Sequence, residues 1–231
     1  MLNYGHVERK WAMGNIFAVF AGEQDIVTVL LYALFDVIVI AGILAATSAL
    51  GFVLEWVFKK VLGGIIGKKR VDVLEGYITY PGVAFHECSH ALFALLTGAK
   101  VVEFSLGRRP LEDGSGYVLG TLAIINRGGP VAKAFQSTMT GIAPAITGTL
   151  AMALAIAFVF PNLTECWQWV LAIYLFVCIL LHTGLSRQDL KNTLPGIPIC
   201  LVTLFVVFLI FTFDPISLVT NLAATSAGTA S

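Results

Sequence analysis

Charge is scarce in this sequence. Asp, Glu, Lys and Arg make up 12% of its 231 residues, against about 25% in soluble domains. Fourteen basic and fourteen acidic residues cancel, and no block of one sign appears. That excludes the basic stripe a nucleic-acid-binding protein needs, so no nucleic-acid partner is expected. Cysteine is sparse as well: Cys88, Cys166, Cys178 and Cys200 lie far apart, three of them in apolar runs. Neither a CxxC pair nor a disulfide framework is suggested, and the four read as buried thiols packing as small hydrophobes. The N-terminal MLNYGHVERKWAMGN has charges but no short apolar core ending in a cleavage site. No removable signal peptide is expected.

What is abundant is apolar surface. Hydrophobic residues reach 58% and the mean hydropathy is +0.87, more than a water-facing fold can bury, so the bilayer is the expected solvent. A spanning helix needs about 20 mostly apolar residues. Segment 37–58 meets this, with apolar residues 26–35 leading in and Asp36 interrupting. An acid at membrane depth is a functional candidate; the plainer reading is an interfacial or capping residue. Ala41, Ala45 and Ala49, four apart, read as a face for close helix approach. The following KKVLGGIIGKKR reads as a basic loop whose glycine pairs end the helix.

Segment 81–98, PGVAFHECSHALFALLTG, reads as a helix started by Pro81 and ended by Gly98, slightly short for a full span. Residues 99–127 alternate β-prone flanks around turn-rich GRRPLEDGSG, which predicts a hairpin or small sheet at the membrane surface. Further membrane helices are expected at 137–160, with Pro144 kinking the helix, at 167–185, with Trp167 and Trp169 as interface anchors, and at 197–213. The expected fold is an all-α polytopic membrane protein of five to six transmembrane or re-entrant helices, with a small β-hairpin after the motif helix. It reads as one membrane-embedded domain: an N-terminal segment 1–25, a first membrane helix 26–58, a core 78–191, a last membrane helix 197–213 and a tail 214–231. The loop between the third and fourth long helices lacks Lys and Arg, whereas 99–133 and 186–191 carry them. Those two segments are therefore expected on the cytoplasmic face. The basic residues in 59–70 run against that scheme unless the 81–98 helix is re-entrant.

The chemistry lies in His86, Glu87 and His90, which spell HECSH. Residues four apart share a helix face, so two imidazoles converge while Glu87 can reach a water held by the same ion. Neutral imidazoles and an open fourth position suit zinc, which lowers the pKa of its water to near 7. A chance HExxH is the alternative. Against it, unpaired ionisable groups in an apolar run cost about 2.5 kcal/mol or more each, and two of the chain's four histidines sit in this pentamer. Cys88 and Ser89 point off the shared face and read as packing residues. The third ligand must come from downstream, with Glu103, Glu112, Glu165, His182 and Asp189 as candidates. Asp189, just past the fourth long helix and on the side where 81–98 ends, is preferred. His182, two turns earlier, orients the site or is itself the ligand, with a plain histidine at a helix end near the interface as the alternative.

Here the residues resemble the site-2 protease family of intramembrane zinc metalloproteases. The resemblance runs from about Pro81 to Gly196 and is strongest in PGVAFHECSHALFALLTGAKV, a motif helix turning through TGA into a strand. It implies His86 and His90 as zinc ligands, Glu87 as catalytic base, and Asp189 in the order of the family's third ligand. Two departures stand out. The aspartate lies in SRQDLKN rather than an Asn-Pro-Asp-Gly or Leu-Asp-Gly setting, and the intervening TGIAPAITG lacks the usual asparagine. Ser186 and Asn192 are candidate oxyanion donors, with cap or loop roles as the alternative. The expected function is zinc-dependent cleavage of membrane-protein substrates in or near their transmembrane segments. The rivals are a membrane HExxH peptidase that cuts loops using a glutamate ligand, a catalytically silent metal-binding scaffold, and a transporter using Asp36 and Asp189.

Overall fold

The computed structural model describes residues 19–20, 22, 25–67, 70–71, 76–110 and 117–211. Expectations for residues 1–18 of the N-terminal segment, for Glu112 and for the C-terminal tail therefore fall outside the described residues. The described residues are predominantly helical, with one two-stranded antiparallel sheet among them.

Helix α1, Ile26–Ile66, is a single helix of 41 residues. Asp25 caps its start, its carboxylate accepting from the Val27 and Thr28 amides. Asp36 is therefore neither a cap nor a break. Its side chain is buried, and the helix runs on through it because one acid removes no ladder hydrogen bond. The Gly63-Gly64 pair does not end the helix either; Gly67 does, at φ +87°. At about 1.5 Å per residue α1 is roughly 60 Å long, twice the hydrocarbon thickness of about 30 Å. The expected alanine face is also corrected. Ala41, Ala45 and Ala49 are exposed, and the close approach runs one stripe over. There Thr47 meets Thr149 Oγ1 at 2.7 Å, and Gly51 lies against the Leu180 backbone.

Helix α2, Tyr80–Leu96, has Pro81 in its first turn. It closes in the paired hydrogen bonds of a glycine C-terminal motif: Gly98 N–H to Leu95 O at 3.1 Å and Ala99 N–H to Ala94 O at 2.8 Å, with Gly98 at φ +82°. The chain then enters β1, Lys100–Pro110, which pairs antiparallel with β2, Tyr117–Ile125. The register slips between Val101 and Glu103 and again between Ser105 and Arg108, so β1 carries bulges that bend the hairpin. Tyr80 Oη donates to the Leu106 carbonyl in the second bulge, which ties the hairpin back to the start of α2.

Helix α3, Pro130–Leu154, runs on through a π turn at Ala155–Val159 and a 3-10 turn at Phe160–Asn162. It begins seven residues before the expected 137, because Pro130 suits a first turn and Gln136 has polar partners. The Gln136 amide accepts from Arg127 N–H and donates to Thr97 O. Helix α4, Cys166–Leu181, starts in a Glu165/Gln168 capping box and stops four residues short of the expected 185. A short α5, Arg187–Thr193, leads through Leu194–Gly196 into α6, Ile197–Ile210.

Helix α2 sits between α3 and α4, while α1 lies against α3, α4 and α6. Gly82 lets α2 touch α4, since a Cβ there would overlap the Cys178 carbonyl and the His182 ring. Of the cysteines only Cys178 is buried; Cys88 and Cys166 are exposed and Cys200 is intermediate. This corrects the expectation of four buried thiols, the exposed ones standing on outer faces. Large apolar side chains cover those faces, among them Ile38, Phe52, Leu150, Val170 and Val202. Among the described residues three segments, Ile26–Ile66, Pro130–Asn162 and Arg187–Ile210, are long and apolar enough to cross a bilayer. The chain is an integral membrane protein.

Candidate metal centre

The site forms where the middle of α2 meets α3, the end of α4 and the start of α5. His86 and His90 stand one turn apart with rings edge to face, centroids 4.6 Å apart and planes at 82°. Each Nδ1 lies 2.6 Å from a backbone carbonyl, that of His182 for His86 and that of Thr140 for His90. A carbonyl oxygen only accepts, so each Nδ1 carries the proton and each neutral ring turns a bare lone pair inward at Nε2. The two Nε2 atoms are 3.0 Å apart. Two lone pairs at that distance repel unless a cation lies between them or one ring becomes an imidazolium.

Asp189 completes the cluster. Its Oδ1 is 3.4 Å from His90 Nε2 and its Oδ2 is 3.6 Å from His86 Nε2. Ligands of a tetrahedral zinc at 2.0–2.1 Å stand roughly 3.3 Å from one another. The donor set therefore fits a divalent cation with one coordination position left over, and the three residues form a group able to hold one. Oδ2 also accepts from Ser186 N–H at 3.0 Å, while Ser186 Oγ accepts from Asp189 N–H at 3.1 Å. This capping box of α5 fixes the carboxylate and leaves Oδ1 the freer oxygen.

Glycines on α3 seat the segment that carries Asp189. A Cβ at Gly141 would overlap Thr193 Oγ1 and crowd the Asp189 carbonyl, and one at Gly148 would meet Thr183. The TGIAPAITG stretch is thus the surface on which the α4–α5 turn docks. Glu87, half-buried, interacts electrostatically with His86 and Asp189. Its side chain lies against Gly120 of β2, where φ is +75° and a Cβ would overlap Glu87 Cγ. No motif pointed to Gly120. The signal that could have found it is a lone glycine inside a strand pattern, which marks a bulge or a close approach.

The other candidates lie elsewhere. Glu103 is exposed on β1. Glu165 caps the far end of α4, about 26 Å along that helix from His182. The His182 ring faces Thr79, Nε2 to Oγ1 at 2.8 Å, and only its carbonyl serves His86. The Asn192 side chain accepts from Gln188 and its carbonyl from Ser137. Ser89 is buried and bonded to Thr147.

A helical membrane protein that gathers two imidazoles and an aspartate beside a glutamate has the make-up of a membrane-embedded peptidase. A family model described as Peptidase M50B-like matches residues 66–229; the chain belongs to that family, the site-2 protease family. No curated protein and no solved structure gave a significant match to the chain.

Proposed function

We propose that this chain is a zinc-dependent intramembrane endopeptidase that cuts membrane-protein substrates in or near their transmembrane segments. His86 Nε2, His90 Nε2 and Asp189 Oδ1 hold the metal. The observation that carries this reading is the pair of inward lone pairs at 3.0 Å, locked by carbonyls behind both rings and faced by one carboxylate. Zinc bound there supplies Lewis acidity, acidifying a water and polarising a scissile carbonyl. Glu87 takes the proton from the attacking water on its carboxylate and delivers it to the leaving amine. Gly120 holds that carboxylate by packing on its stem.

A helical substrate has every backbone group paired and must unwind to be cut. Among the described residues the hairpin has only two strands, so an extended substrate segment can add at its edge and re-pair its backbone. The chain crosses the bilayer several times, with the site toward the cytoplasmic face. Support comes from Arg127 and Lys133, which follow β2, and Arg187 and Lys191, which stand in α5 beside Asp189, whereas the turn between α3 and α4 has no Lys or Arg.

The test uses purified chain, zinc analysis and a membrane-spanning reporter. Glu87→Gln should abolish cleavage and keep zinc, and His86→Ala should lose zinc. Cleavage by Glu87→Gln would overturn the catalytic assignment. Zinc lost on replacing Glu103 or Glu165, but kept in Asp189→Ala, would favour a loop-cutting peptidase with a different ligand set.

A further inference from the structure

Both carbonyls behind the imidazoles are ones their own helices leave unused. His182 follows the last residue of α4, and carbonyls at a helix end have no intrahelical donor. Thr140 is different, because it lies in the middle of α3. A mid-helix carbonyl accepts from the amide four residues on. Four residues on stands Pro144, which has no N–H to give. Pro144 is fully buried, as is most of Thr140, so water does not take the place of the missing donor. His90 Nδ1 does, at 2.6 Å.

We propose that Pro144 is a positioning residue for the metal centre. By withholding an amide hydrogen it frees the Thr140 carbonyl for His90, which sets the tautomer and aim of that ring. A proline whose only task was to bend α3 would require no partner at residue 140; here the orphaned oxygen is the one that meets a metal-ligand candidate. The inference rests on the proposed metal-binding role of His90.

The test replaces the proline in two ways in the full-length chain in detergent, reading zinc affinity by competition with a chelator. Pro144→Ala installs the N–H, which reclaims the Thr140 oxygen for the helix ladder, while alanine favours the helix. Zinc affinity should fall about 10–100-fold, the usual effect of losing an outer partner of a histidine ligand. Lactic acid at position 144, introduced by nonsense suppression, has alanine's side chain and an ester oxygen in place of N–H. It should restore wild-type affinity. Unchanged affinity in Pro144→Ala, or equal losses for alanine and lactic acid, would overturn the proposal and leave the metal site standing. A wild type that takes up no zinc would overturn both.

Discussion

At the scale of the residue, the centre divides into side chains with a sequence signature and backbone groups without one. His86, Glu87 and His90 are legible because a helix brings i and i+4 together whatever surrounds it. Asp189 was found by chain order, since an acid past the fourth long helix returns to the side where α2 ends. The Thr140 and His182 carbonyls were not legible, because every residue has one and only the fold decides which is free. Gly120 was hidden for a similar reason: its role is an absent Cβ. That role makes a prediction. Gly120→Ala should cut cleavage on the order of 10²-fold, since displacing the proposed base Glu87 by about 1 Å would cost that much, while zinc stoichiometry stays at the wild-type level. Part of any stability loss will come from φ +75°, which costs a non-glycine residue about 1–2 kcal/mol. Reporter cleavage measured beside zinc content checks it, and equal losses of both would mean the glycine serves the fold alone.

At the scale of the element, apolar runs revealed which helices exist but misplaced their ends. The charged stretch after Phe58 looked like a loop, yet α1 continues to Ile66 because leaving the hydrocarbon does not end a helix when Lys59 and Glu55 pair across one turn. The start of α3 is not legible in the sequence because Gln136 and its neighbours are polar, and only the packed structure shows what they bond. Helix α5 is the most telling element. It has seven residues, too few to be stable alone, and its capping box is what aims Asp189. Ser186→Ala should therefore cost about 1 kcal/mol of local stability and weaken zinc binding by about tenfold. Ser186→Thr, which keeps a capping hydroxyl, should recover most of it. Titration of the three proteins against a zinc chelator tests this, and an alanine variant that binds as tightly as the threonine one would break the link. The Thr47–Thr149 bond joining α1 to α3 is a lesser case. Interhelical hydrogen bonds in membranes average about 0.6 kcal/mol, so Thr149→Val should lower unfolding stability in detergent by less than 1 kcal/mol and leave cleavage unchanged.

At the scale of the whole molecule, the architecture places the three proposed ligands far apart in sequence and close in space. His86 and His90 stand on α2, and Asp189 arrives after the hairpin, α3 and α4. A cation joining them closes a loop of about 100 residues, and because the unfolded chain presents no such cluster, its binding energy becomes folding energy. Zinc at one hundred times its dissociation constant should add about 2.7 kcal/mol to the stability of the folded state. Removing zinc from the wild type with a chelator should therefore lower the unfolding temperature in detergent, and adding zinc back should restore it. The same cycle applied to His90→Ala should move the midpoint little, since one ligand and its Thr140 anchor are already gone. The control separates a cross-link from a bystander: Glu87→Gln keeps all three ligands and should follow the wild type through the whole cycle. If chelation shifts the midpoint of His90→Ala as far as that of the wild type, the stabilising ion sits elsewhere, and α5 is held by its packing on Gly141 and its hydrogen bonds to Ser137 and Thr138 of α3.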